Sequence, residues 1–471
     1  MKGRGLKNKK GITLIALVIT IIVLLILAGV AIAMLSGENG ILRKAAEAKI
    51  KTEQAQLDEQ VRLAQMEAAS NLNGITHTEK IASIGNKEIS VKIPSGFAIS
   101  PREGEQKIET GMVIIDTEGN EYVWIPVFEK DATNCTWGVD YSAVKSKVED
   151  SDEYYTAIQT ALKTYTATYK DNNYTDTWYG DASYGKSGYY KEDDTAKENL
   201  IYYTNGNMTK EEYDKLYRGM LKSVYTNGGF YIGRYEMGIS VADSITDAQK
   251  KSRTSASKEY VASSTNANNQ APTIEGMAIP ISKANAVPYN CITQSQAQML
   301  AEKLGEKSSY ASVTSSIMFG VQWDAVCVYI EHYDKNNTAA TKSDWLTTNN
   351  YGKLWGNYKN SEFKLDRGYY TTAYGSNPVT WTEDYTTKKG TSTKWLCTTG
   401  ASEQNKSLNI YDFGGNEGEW ILEKFRNSVL PCVFRAYNFL DNYCASCRYG
   451  SGTTTYTGGP LISSRSALYI K

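Results

Sequence analysis

Residues 12–34 read ITLIALVITIIVLLILAGVAIAM, with no charged side chain. Ahead of them stand Lys2, Arg4, Lys7, Lys9 and Lys10, with no acid among residues 1–11. A helix of that length reaches about 35 Å, enough to cross a hydrocarbon core of about 30 Å. Positive charge before an apolar span holds the N-terminus inside. The expectation is therefore one membrane-spanning helix with the C-terminal bulk of the chain displayed outside the cell. A cleaved secretory signal is the rival reading, but its apolar region is shorter and ends at a small-x-small site that this stretch does not clearly offer.

Just beyond this stretch, Ser36-Gly37-Glu38-Asn39-Gly40 interrupts the helix. A second pattern follows, with Leu57, Val61, Ala64, Ala68 and Leu72 on one face and Glu47/Lys51 and Asp58/Arg62 as i,i+4 pairs. Its charged faces argue against a second span, so residues 35–73 are expected to form a helical stalk.

The rest of the chain carries no dominant charge. Of 471 residues, Lys+Arg number 51 and Asp+Glu 52, for a net charge of −1, so no global field argues for nucleic acid. There are 35 Tyr against 9 Phe, and tyrosine suits wet, adaptable contact surfaces. His77 and His332 are the two histidines, too few and too far apart to favour a His-based zinc site or a Ser-His-Asp triad. Of the cysteines (Cys135, Cys291, Cys327, Cys397, Cys432, Cys444 and Cys447), only Cys444 and Cys447 form a C-x-x-C. No second pair completes a zinc knuckle.

Short alternating or apolar runs at 88–93, 112–115, 122–127 and 230–236 predict strands, with a turn through Glu118-Gly119-Asn120. Residues 293–304 predict a helix capped by Thr293, and 321–333 a more buried one. Residues 135–227 are rich in Tyr, Asp, Lys and Thr with little periodicity and read as an insertion or loosely structured lobe. Residues 240–275 read as a long loop. Few helices with many short strands and loops make the body α+β.

Two family resemblances sharpen these expectations. Lys9-Lys10-Gly11 before Ile12-Thr13-Leu14-Ile15 resembles the leader of type IV prepilins. That family is cut after the glycine by a prepilin peptidase, which implies a leader of residues 1–11 cleaved between Gly11 and Ile12. Ala16 departs from the family's Glu at the fifth mature position, which weakens the case for assembly by pilus machinery but not for anchoring.

The string 229–236 (GFYIGRYE), the segment 320–325 (GVQWDA), the stretch 409–420 (NIYDFGGNEGEW), Arg435-Ala436-Tyr437 and 464–468 (SRSAL) resemble, in order, strings of the formylglycine-generating-enzyme (sulfatase-modifying factor) family. The likeness covers roughly residues 85–471. It implies a C-type-lectin-like fold for that region, with the Tyr-rich insertion at 135–227, and a structural calcium site formed by the side chains of Asp412 and Glu419 and the carbonyls of Gly415 and Glu417. Hard oxygen ligands on a tight Gly-rich loop suit Ca²⁺. The oxidase members bind copper through cysteines six and eleven residues after the arginine that Arg435 matches. Here Asp441 and Ser446 hold those places, so no enzyme activity is expected.

Residues 427–470 contain no Lys, Glu, Gln, Met or Trp. Within them, residues 433–444 read VFRAYNFLDNYC, every residue of which is encoded by a codon reached from AAC or AAT by changing adenines alone. That footprint is similar to the variable region of a diversity-generating-retroelement protein. Tyr437, Asn438, Phe439, Leu440, Asp441, Asn442 and Tyr443 mix aromatic contact with adaptable hydrogen bonding, as paratopes do, and are the expected ligand-binding residues. The functional expectation is an adhesin-type binding protein at a bacterial membrane or cell surface, recognising an external protein, glycan or phage. The alternatives are a structural pilin-like subunit and a formylglycine-generating-type oxidase.

Overall fold

The computed structural model describes residues 18–28, 41–72, 77–84, 87–131, 137–177, 208–240, 274, 277–308, 310–334, 346–347, 355–372, 381–383, 385, 394–426, 432–450 and 461–471. Residues 1–58 and 59–471 form separate compact units. The main helices are α1 (residues 18–28), α2 (Ile41–Ser70), α3 (Asp152–Tyr165), α4 (Lys210–Asn227), α5 (Gln294–Lys307) and α6 (Gly320–Tyr333). The strands that build the body are β1 (His77–Ile84), β2 (Lys87–Ile93), β3 (Phe97–Ile99), β4 (Val113–Asp116), β5 (Glu121–Pro126), β6 (Tyr174–Thr175), β7 (Gly229–Gly233), β8 (Val313–Ile317), β9 (Gly418–Phe425), β10 (Cys432–Arg435), β11 (Arg448–Gly450), β12 (Ile462–Ser464) and β13 (Ser466–Ile470).

The architecture corrects the expected N-terminal half. Among the described residues no helix is long and apolar enough to cross a membrane. In the apolar stretch the described residues are those of α1. The membrane-spanning helix, and the membrane as a partner, are withdrawn with it. Gly11 and Ile12 of the expected cleavage site lie outside the described residues. The stalk is corrected as well. From Glu59 onward α2 lies against the body, with Ala64 and Ala68 buried in the core and Gln65 donating to the Thr117 carbonyl at 3.0 Å. Small side chains at 64 and 68 let the helix approach closely, so the 4-3-4-4 pattern marks a docking face. In place of a long anchor carrying an α+β head, the described residues form six main helices and several largely antiparallel sheets.

The larger sheet has the order β8-β13-β7-β5-β4-β3, every pair antiparallel. The C-terminal β13 is thus an interior strand, paired with β8 and β7. Strand β5 is buried along its whole length, as expected where both faces of a sheet are covered. The second sheet runs β11-β10-β9-β12, with β6 pairing the end of β9. Helix α5 starts at a capping box in which Thr293 and Gln296 satisfy each other's backbone N–H groups, as the sequence predicts. Helix α6 is buried from Gly320 to Ile330. Trp323 and Trp420 are wholly enclosed and donate to the Ala445 and Ile292 carbonyls at 2.9 and 3.1 Å, which removes the cost of burying an indole N–H.

The Tyr-rich insertion is more ordered than its composition suggests. In its described parts α3 buries Tyr154, Ile158 and Leu162, and α4 buries Tyr213, Tyr217, Met220, Leu221 and Val224. Both helices have N-caps, Ser151 for α3 and a Thr209–Glu212 capping box for α4.

Candidate functional site

The expected contact loop hangs between β10 and β11. Strand β10 pairs β9 in the register Glu419↔Arg435 and Trp420↔Phe434, and pairs β11 as Phe434↔Tyr449 and Arg435↔Arg448. The two arginines therefore sit side by side beneath the loop, where they meet two acids. Arg435 donates to Asp324 at 2.7 Å and to the Ser446 carbonyl at 3.0 Å, and lies 3.5 Å from Glu423. Arg448 donates to Glu423 at 2.9 and 3.1 Å, to Asp324, and to the Tyr169 carbonyl at 2.6 Å. Burial opposes the charge on Arg448, but Asp324 and Glu423 more than offset it and hold the guanidinium protonated. Two positive and two negative groups close a neutral network linking β9, β10, β11 and α6.

Above this network the chain turns sharply, with Ala436 and Tyr437 both in the left-handed region (φ 64° and 60°), a conformation uncommon for residues other than glycine. The turn leaves Tyr437 half-buried at the edge of the core, where it stacks on Tyr443 with ring centroids 3.9 Å apart and meets Tyr449 edge-on at 5.5 Å. Phe434 supports both, at 5.6 Å from Tyr437 and 5.3 Å from Tyr449. Tyr449 is 45% exposed. Burial, with the charges of Tyr443 and Asp441 nearby, pushes the Tyr437 hydroxyl up to about 12, so it stays a neutral hydrogen-bonding group at physiological pH.

The other expected contact residues divide by role. Phe439 is fully buried in the core and its N–H donates to the Asn416 carbonyl at 3.1 Å. Asn438 is buried and accepts from the Leu440 N–H at 3.0 Å, turning the loop upon itself. Leu440 packs partly against the core. The Asp441 carbonyl accepts from Lys359 N–H at 3.1 Å, and the Asn442 side chain from Asn360 N–H at 3.0 Å. Asn438 and Phe439 thus anchor the loop, and the aromatic stack is what it presents. The sequence did not single out Tyr449, Phe434 or the Arg435–Arg448 pair. The Arg435-x12-Arg448 spacing has no helical or strand period, and only cross-strand register brings the two together.

Beside the stack, a disulfide joins Cys444 and Cys447, whose Cα atoms are 5.2 Å apart. It closes the turn that leads into β11. A cavity of ≈ 400 Å³ opens here, with Tyr443, Cys447 and Arg448 on one side and Tyr169, Lys170 and Thr347 on the other.

Of the four expected calcium ligands, the two expected to act through their side chains, Asp412 and Glu419, are bonded to protein partners. Both carboxylate oxygens of Glu419 accept from Arg465, at 2.6 to 3.1 Å, and that guanidinium also donates to the Gly233 and Tyr411 carbonyls at 3.0 and 2.9 Å. Asp412 accepts from the Gly400 N–H at 2.6 Å, and Glu417 from the Asn290 side chain at 2.5 Å. Gly415 (φ 77°) packs so closely on Asn357 that a Cβ would lie 2.5 Å from its carbonyl oxygen, which explains a glycine here without a metal. Burial pushes Asp412 up to about 6. Burial and neighbouring carboxylates push Glu236 well above the carboxylate range, and burial does the same to Glu417. Among the described residues no group of three or more His, Cys, Asp or Glu is arranged to hold a metal ion, and a calcium ion on the implied pair of carboxylates and pair of carbonyls would have to displace Arg465 from Glu419.

No family model matches the chain, and no curated protein or solved structure is significantly similar to it.

Proposed function

We propose that this is a recognition protein whose contact face is the aromatic surface of Tyr437, Tyr443 and Tyr449, and that its ligand is the surface of another protein. The observation that carries the reading is the Tyr437–Tyr443 stack, raised on a left-handed turn beside a cavity and fixed from below by buried ion pairs. Rigid, amphipathic rings supply contact area at low entropic cost, and a preorganised loop lowers the cost of binding further. Asp441 and Asn442 at the rim add polar groups that are partly exposed. The retroelement reading joins this proposal at the same residues: diversification would be tolerated at Tyr437, Tyr443 and Tyr449, and poorly at Arg435 and Phe439. Family membership with the formylglycine-generating enzymes stays a proposal too. In its favour, three arginines of the quoted strings, Arg234, Arg435 and Arg465, are each buried against carboxylates.

The test is capture on protein and glycan arrays by the wild type and by Tyr437→Ala and Tyr443→Ala. Both variants are expected to lose at least tenfold in affinity for a captured protein, a loss of about 1.4 kcal/mol, with an unchanged melting temperature. Undiminished capture by both variants, or capture of glycans alone, refutes the reading.

A further inference from the structure

Away from the aromatic face, α3 and α4 enclose a cavity of ≈ 340 Å³ that Asp176 lines at the end of β6. Asp176 is 5% exposed, and its two oxygens accept from the Gly320 and Val321 N–H groups at 2.7 and 3.1 Å, at the start of α6. These bonds and the positive helix end stabilise the carboxylate, but each oxygen keeps a lone pair for a further donor. Among the described residues no Lys or Arg forms an ion pair with it. The basic groups at the cavity mouth are already matched, Lys210 with Asp214 at 2.7 Å and Arg218 with Asp152 at 2.6 Å. Among the acids that line the cavity Asp176 is therefore the one with no ion-pair partner, Lys163 acting on it without forming a salt bridge.

The walls suit a cation. Tyr155, Tyr213 and Tyr217 line the space, and their hydroxyls bond elsewhere: Tyr155 to Asp150, Tyr213 to the Leu422 carbonyl, and Tyr217 to Gln159. The Tyr155 and Tyr213 rings are thus held by contacts outside the cavity, and Tyr217 by Gln159, which lines it. At the rim the Arg218 guanidinium already lies over the Tyr155 ring, 5.0 Å from its centroid. Aromatic faces attract organic cations, whereas calcium needs six to eight converging oxygens. We propose that this cavity binds an organic ammonium group, with its charge on Asp176 and its alkyl substituents against the tyrosine rings.

The groups around Asp176 set the pH dependence. Burial and the nearby Glu423 push it up to about 7, against the opposing pull of Lys163 and the two backbone donors. Glu423 is itself neutralised by Arg435 and Arg448, and the Tyr213 and Tyr217 hydroxyls stay protonated. A cation binds the ionised form, so binding releases a proton, and affinity is expected to fall about tenfold from about pH 8 to about pH 6.

The experiment is calorimetric titration of the full chain with choline and with its neutral carbon isostere, 3,3-dimethylbutan-1-ol. Choline is expected to bind at least about tenfold more tightly than the alcohol, to lose affinity on acidification, and to lose it in Asp176→Asn. Because that variant disturbs the start of α6, Tyr217→Leu serves as a second, expected to weaken choline with the fold intact by circular dichroism. The inference is overturned by equal affinity for the two probes, by no heat with choline up to about 10 mM, by pH-independent binding, or by displacement of choline by equimolar calcium. None of these outcomes bears on the tyrosine face.

Discussion

Arg465 illustrates how single residues hold this protein together. It is fully buried, lies one place beyond the end of a short strand register with β9, and satisfies Glu419 and two carbonyls at once. Removing one partner of such a pair leaves an uncompensated buried charge, so Arg465→Ala is expected to cost about 3–5 kcal/mol in urea unfolding. Replacing both, as Arg465→Met with Glu419→Leu, is expected to recover most of that loss. A single variant as stable as the wild type would show the pair to be dispensable. The contact loop offers the complementary case. Phe439→Ala empties a core position and is expected to cost about 3–5 kcal/mol, whereas Tyr449→Ala on the surface is expected to change stability by about 0.5 kcal/mol or less. Equal losses for the two would contradict the division of the loop into anchor and contact face.

Among the elements, α3 and α4 hold the sharpest lesson about reading. Composition marks their region as a loosely structured insertion, because tyrosines count weakly as core residues and the helical stripe is written mostly in Tyr. The signal was there: Tyr213, Tyr217 and Val224 fall on one face, and Thr209-x-x-Glu212 is a capping box. Thr209→Ala is expected to lower stability by about 1 kcal/mol, read as a fall in melting temperature; no change would mean that packing alone holds the helix start. Helix α2 differs from its expected role for another reason. Its stripe of Val61, Ala64 and Ala68 was legible, but a stripe does not name what it faces, and the body's Thr117–Gly119 turn supplies the partner.

For the whole molecule, buried carboxylates of two kinds set the pH profile. Asp176 and Asp412 are raised to about 7 and about 6, so between the ordinary carboxylate range and about pH 7 the folded chain binds more protons than the unfolded one. Stability is therefore lost as pH rises through that window. Glu121 and Glu403 behave oppositely. Burial opposes their charge, but Arg102 and Arg234 around the first, and Arg367 and Lys406 around the second, hold each down to about 2. Their contribution is lost as pH falls below the ordinary carboxylate range. The melting temperature is expected to be highest near about pH 5 and lower at about pH 8 and about pH 2.5. Scanning calorimetry across that range checks it, and a melting temperature still rising from about pH 5 to about pH 8 would overturn it.

The sequence by itself determined what local chemistry can decide: the Thr293-capped helix, the buried helix that follows, the turn at Glu118-Gly119-Asn120, and the aromatic and amide character of residues 437–443. Each depends on neighbours a few positions away, through capping, periodicity or turn geometry. Tertiary structure alone decided which of those residues stay partly accessible, because Phe439 and Tyr437 differ in accessibility only through the left-handed turn and the sheet beneath it. It also decided what the acids do. Glu419 reads as a metal ligand in its own string, but Arg465, 46 residues away, takes both of its oxygens. Electrostatic pairing acts through space, and a charge separated along the chain leaves no local mark of its partner.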